Sequence, residues 1–238
     1  GGFAALCVAT LVMSYDTMNW RFAFWIGAFI AIVGAAARTS LKETPDFLEA
    51  KAKKDTSNDK SNDVSWKTII ALFALECVLP ISFYYVYIYS ADVLKQDYGY
   101  SNAEVIQHNL CISLMHVIGM SLLAYSTYKI YPMKIMKALW YCSVAVIIGV
   151  TYYLNLITTG KELFFIQVAI ILLTPLEATF VLPIVYKFIP INKRFTLVGM
   201  SYSMSRVILF PLLTFGFIYV ADIFGHYALA AVILPMLL

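Results

Sequence analysis

Charge is what this sequence has least of. Only 13% of its 238 residues are Asp, Glu, Lys or Arg, and 61% are hydrophobic; soluble domains run near a quarter charged and about half apolar. A water-facing surface over most of the chain is thereby excluded. Cysteine is also scarce: Cys7, Cys77, Cys111 and Cys142 each stand in a different apolar run, without the close pairing that a metal site or disulfide framework needs. They read as free thiols packed among helices. The chain has no Gly-rich phosphate loop, GxSxG elbow, HExxH helix or clustered Cys/His, so no enzyme, cofactor site or ATP-driven pump is indicated. The net charge of +3 is mild, and its positions report topology, so nucleic acid is not indicated as a partner. No Met with a short basic region precedes the first apolar run, so no secretory signal is read, and both ends read as cut.

What the chain has instead is apolar runs long enough for a hydrocarbon core about 30 Å thick, which takes roughly 20 helical residues. Eight are legible: 1–15, 21–39, 67–90, 104–127, 137–158, 162–186, 196–220 and 227–238. The expected fold is all-α, a polytopic bundle of helices in a lipid bilayer. Between the second and third runs lies a polar, charged stretch, 40–66, without apolar period; it reads as a solvated linker. Within it, Thr44 and Pro45 form a helix-start signal for a short surface helix over Pro45 to about Lys54. The chain thus divides into 1–39, 40–66 and 67–238.

Basic residues set the orientation, because Lys and Arg near membrane ends are retained on the cytoplasmic side. The linker and its flanks hold Arg38, Lys42, Lys51, Lys53, Lys54, Lys60 and Lys67; two further loops hold Lys129, Lys134 and Lys137, then Lys187, Lys193 and Arg194. The alternate loops hold only Arg21, Lys95 and Lys161. This alternation puts the linker in the cytoplasm and supports the count of eight spans. Ser101 and Glu104 match a capping box that starts the fourth span from outside.

Two spans, a cytoplasmic linker and six more spans resemble a major facilitator transporter from within its fifth helix to its twelfth. Trp20-Arg21-Phe22-Ala23-Phe24, Gly27, Arg38, Leu41 and Glu43-Thr44-Pro45-Asp46-Phe47 are similar to the sixth-helix signature of the metabolite:proton symporter family. Phe83-Tyr84-Tyr85 and Tyr98-Gly99-Tyr100-Ser101-Asn102-Ala103-Glu104 resemble its seventh helix and outer loop. Two places depart from the pattern. Ser126 to Pro132 keeps the basic Lys129 but lacks the Asp and Gly of the usual Asp-Arg-x-Gly-Arg loop, and Ile208-Leu209-Phe210-Pro211 lacks adjacent glycines before its proline. The resemblance implies six spans of a C-terminal half, two of an N-terminal half, and dependence on the remainder of that half. It implies proton-coupled symport of a small metabolite or osmolyte across a bacterial inner membrane, and no transport by this stretch alone.

Ionisable side chains inside a bilayer cost roughly 2.5–3.5 kcal/mol at mid-helix, so each needs a partner or a wet cavity. Glu76, His116, Glu177 and Arg206 all fall roughly 14–20 Å from the cytoplasmic edge at about 1.5 Å per residue. They occupy the third, fourth, sixth and seventh runs, whereas the second, fifth and eighth have no charge within their spans. Under the resemblance, the first set is the cavity-lining set and the second peripheral. Gln167, Thr174 and Glu177 share one helical stripe, and Tyr202 and Arg206 are i, i+4 neighbours, as are Ser201 and Ser205. Arg206 suits a substrate carboxylate through its planar paired donors; the ordinary alternative is a structural ion pair with Glu177, or snorkelling. Tyr84, with Tyr85, Tyr87 and Tyr89, is an aromatic wall for an ammonium group or, as commonly, packing. His108 and His226 read as solvated near loops.

One Arg against two Glu favours a zwitterion such as L-proline or betaine, with a di- or tricarboxylate as the alternative. A non-transporting remnant or membrane scaffold is the competing class. The expected arrangement brings Glu76, His116, Glu177 and Arg206 to one cavity.

Overall fold

Residues 2–14, 21–40, 45, 48, 64–154, 156, 159–173, 180–228 and 231 are described by a computed structural model, and every element among them is helical. In chain order these are α1 (Gly2–Ser14), α2 (Arg21–Ser40), α3 (Trp66–Gln96), α4 (Asn102–Lys129), α5 (Pro132–Leu154), α6 (Gly160–Leu173), α7 (Leu182–Tyr186) and α8 (Ile191–Phe224). Five of them, α2, α3, α4, α5 and α8 over Ile191–Phe217, are long and apolar enough to cross a membrane. The chain is a multi-pass integral membrane protein.

Helix boundaries run well beyond the apolar runs at three places. Helix α3 continues to Gln96 rather than ending at 90, α5 begins at Pro132 rather than 137, and α8 begins at Ile191 rather than 196. An apolar run marks the stretch that hydrocarbon tolerates, while backbone hydrogen bonding carries a helix on into the polar interface. The run 162–186 contains α6 and α7; residues 174–179, including Thr174 and Glu177, lie outside the described residues. So do nearly all of the linker, with its expected helix from Pro45 to Lys54, and nearly all of the eighth run.

Packing follows helical periodicity, with an outer face suited to lipid. On α5, Ile135, Leu139, Ser143, Ile147, Val150, Thr151 and Leu154 are buried, while Tyr141, Ile148 and Tyr152 on other faces are exposed. In water the outer face of such a helix would be polar. Helix α8 buries Ser201, Ser205, Leu209, Leu213 and Phe217, one residue every fourth, and lies most extensively along α3. A second interior is formed where α3, α4, α5 and α6 meet around Val86, Leu94, Ile112, Ile147, Leu163 and Ile170. By contrast α2 buries no side chain.

Helix α3 is interrupted. Pro80 lies inside it, so the Glu76 carbonyl four residues earlier loses its amide donor. One turn on, Tyr84–Tyr89 adopts a π-helical turn, the widened form often found at functional sites. The Ser90 hydroxyl donates to the Tyr85 carbonyl at 2.9 Å, and the Gln167 amide donates to the Val86 carbonyl at 2.6 Å. After α3 the chain turns through Gly99, whose φ of 68° is a left-handed conformation natural to glycine, and Tyr100 N–H returns to the Leu94 carbonyl at 3.0 Å. The capping box then starts α4: Ser101 N–H donates to Glu104 Oε2 at 2.8 Å and Glu104 N–H to Ser101 Oγ at 3.3 Å.

Candidate functional site

A cavity of about 1420 Å³ opens among α1, α3, α4, α7 and α8. Its wall is largely apolar, and its polar groups are supplied mainly by three helices. Helix α3 contributes Glu76, Ser82 and Tyr87; α4 contributes Asn109, Ser113 and His116; α8 contributes Arg194, Tyr202 and Arg206, with Tyr186 from α7. The α4 residues at 109, 113 and 116 recur at the i, i+4, i+7 spacing, which keeps one face of a helix toward one neighbour.

The centre of the site is the pair of Glu76 and Arg206, 130 residues apart in sequence. Arg206 Nη1 donates to Glu76 Oε2 at 3.5 Å, to the Tyr202 carbonyl at 2.9 Å and to Ser205 Oγ at 3.3 Å. The guanidinium carbon lies 3.2 Å from the centre of the Tyr202 ring, a cation–π contact between helical neighbours. The two side chains, Arg206 and Glu76, are 18% and 10% exposed. At an effective dielectric of about 20, such a pair gains roughly 4–5 kcal/mol before desolvation, comparable with the insertion cost of a single charge. Attraction on this scale offsets most of the roughly 5–7 kcal/mol that inserting two such charges costs. The contact is long and single for an Arg–carboxylate pair, whose strong form is bidentate at about 2.7–2.9 Å. Because all three hydrogen bonds use Nη1, the Nε and Nη2 donors have no partner among the described residues.

Not all expected site residues meet here. Glu76, His116, Tyr202 and Arg206 line the cavity together. Glu177 lies outside the described residues, and the ion pair that Arg206 makes is with Glu76. Gln167 does not line the cavity. It is fully buried, donating to the Val86 carbonyl at 2.6 Å and accepting from His108 Nε2 at 2.6 Å. Gln167 therefore faces protein, where it bridges the π-turn of α3 to α4. The reading of His108 as solvated is corrected by the same contact: its ring is half-buried, with edge-on neighbours Phe164 and Tyr100. Tyr84 is also buried away from the cavity, its ring 5.7 Å from that of Phe217, so it packs α3 on α8. The tyrosine of that run that does line the cavity is Tyr87.

Arg194 was hidden among the loop charges. With α8 beginning at Ile191 rather than 196, Arg194 is a helical residue of the cavity wall. A signal for it was present: Pro190 stands just before the helix, close to the first-turn position that proline favours.

The chain matches no family model, no curated protein and no solved structure. Its resemblance to the symporter family rests on the sequence motifs alone.

Proposed function

We propose that this protein belongs to a secondary active transporter which moves a small carboxylate-bearing metabolite or osmolyte across a bacterial inner membrane, coupled to a proton. The observation that carries the reading is the Glu76–Arg206 pair inside a large cavity between membrane-spanning helices. Intramembrane charges are functional by default, and this pair is loosely made. A zwitterion such as L-proline or betaine mirrors it, with a carboxylate for the free Nε and Nη2 donors of Arg206 and a cationic group for Glu76 or the Tyr202 and Tyr87 rings. Either Glu76 or His116 then carries the coupling proton. Alternating access by two rocking halves supplies the motion, with the remainder of an N-terminal half as the partner surface.

A second reading, transport of a di- or tricarboxylate, is favoured by Arg194, which raises the number of cations on the cavity wall to two against one carboxylate. The test is uptake into liposomes containing the full-length protein under an imposed pH gradient, with labelled L-proline, betaine, succinate and oxoglutarate. Uptake of the zwitterions, lost in Arg206→Lys, supports the first reading; uptake of the diacids alone supports the second. Failure of all four under a gradient known to be intact favours a non-transporting scaffold.

A further inference from the structure

We propose that Arg194 forms a second binding station for the carboxylate of a small organic solute, distinct from Arg206 and at the other end of the same cavity wall. The station deepens the transport reading and rests on it for the identity of the ligand as solute.

The two guanidiniums are satisfied very differently. Both belong to α8 and both line the cavity, and twelve residues of helix separate them by about 18 Å along the axis. Arg206 has a carboxylate, a carbonyl, a hydroxyl and an aromatic face. Among the described residues Arg194 has one hydrogen bond, from Nη2 to the Ile189 carbonyl at 3.2 Å. Its Nε is buried and has no hydrogen-bond partner among the described residues, and no carboxylate among them lies within ion-pair distance of it. A buried donor left unsatisfied is costly, and a guanidinium presents paired donors that match a carboxylate in one plane.

Neither helix stability nor membrane topology accounts for the placement of Arg194. It stands in the first turn of α8, where a cation opposes the helix dipole. A residue held for positive-inside topology alone has no reason to turn toward a cavity, and the adjacent Lys193 is absent from the lining. The charge balance points the same way. The charged residues lining the cavity are Glu76, Arg194 and Arg206, so the described wall carries one excess positive charge. Glu76 is engaged with Arg206, and an incoming anion completes the set. Tyr186 adds a hydroxyl to the same wall, within electrostatic reach of both Glu76 and Arg194. A solute carboxylate and a lipid phosphate share the chemistry of an oxyanion, and a position on the wall of a cavity between helices, rather than on an outer face, favours the solute.

The test uses the full-length protein and an arginine-specific reagent, so that it reads binding and not transport. The chain holds four arginines, Arg21, Arg38, Arg194 and Arg206, and Arg38 is exposed on α2, an internal reference. The protein in nanodiscs of neutral phosphatidylcholine is pulsed with phenylglyoxal, and modification at each arginine is followed by peptide mass mapping. Succinate, oxoglutarate, L-proline and betaine are each added in excess, against sodium chloride of equal ionic strength. The expected result is that at least one of the four slows modification of Arg194 roughly tenfold, the protection given by ligand at about ten times its Kd, without slowing Arg38. Arg194→Gln, followed by titration calorimetry with the protecting solute, then weakens binding by about tenfold or more.

The proposal is overturned if none of the four protects Arg194, if chloride protects it equally, or if protection appears only when phosphatidylglycerol is included, which makes Arg194 a lipid clamp. Protection of Arg194 without uptake in the liposome assay refutes transport while leaving the station standing. Uptake without protection does the reverse.

Discussion

Arg206 and Arg194 share one helix and one cavity but live in opposite electrostatic circumstances. Arg206 sits deep in the apolar run and meets Glu76, the Tyr202 carbonyl and ring, and Ser205. Arg194 sits at the end of the helix with one carbonyl for company among the described residues. The difference shows how a membrane protein distributes charge. Where hydrocarbon makes a lone cation costly, the fold supplies the counter-charge itself; nearer the polar boundary, a cation stands without a carboxylate among the described residues.

The largest effect is expected from Arg206→Met, which leaves the Glu76 carboxylate buried without its cation. Stability in detergent should fall by about 3 kcal/mol, the lower end for breaking a buried pair, because the open cavity lets water reach the acid. Thermal or denaturant unfolding measures it, and an unchanged midpoint would show that the pair is decorative.

Gln167→Leu comes next. It strands the Val86 carbonyl and the His108 donor together, which should cost about 2 kcal/mol. Because the residue lies away from the cavity wall, solute affinity in the folded fraction should hold. A change in affinity at unchanged stability would move Gln167 from positioning the π-turn to contacting solute.

The double variant Glu76→Gln with Arg206→Met removes both charges and should recover stability to within about 1 kcal/mol of the parent, since neutral replacement of a buried pair is often tolerated. Uptake should stay abolished. That combination separates the structural value of the pair from its use in transport. The smallest stability effect belongs to Arg194→Met, within about 0.5 kcal/mol of the parent. A loss as large as that for Arg206 would erase the contrast between the two cations and make Arg194 a structural residue.

Five of the eight spans read from the sequence coincide with described helices long and apolar enough to cross a membrane, because hydropathy is a sum over neighbours along the chain and that local sum is what the bilayer responds to. The capping box was legible for the same reason, since Ser101 and Glu104 are three residues apart. The charges within the apolar runs could be found one by one. Their pairing could not, because it depends on how α3 and α8 rotate against each other across 130 residues of sequence. Gln167 stood out as a polar position on an apolar helix, and only the fold shows what it meets, the Val86 carbonyl and His108 from 81 and 59 residues away.

Composition and periodicity alone were enough to establish an all-helical protein in a membrane and five of the places where its helices are long and apolar enough to cross. Only the packed helices decided that Glu76 is the partner of Arg206, that Tyr84 and Gln167 point into protein while Tyr87 points into the cavity, and that Arg194 belongs to the wall rather than to a loop. Burial cost is a property of each residue in a given solvent, whereas satisfaction of a charge or a hydrogen bond is a property of two groups, and the second group is placed by tertiary structure.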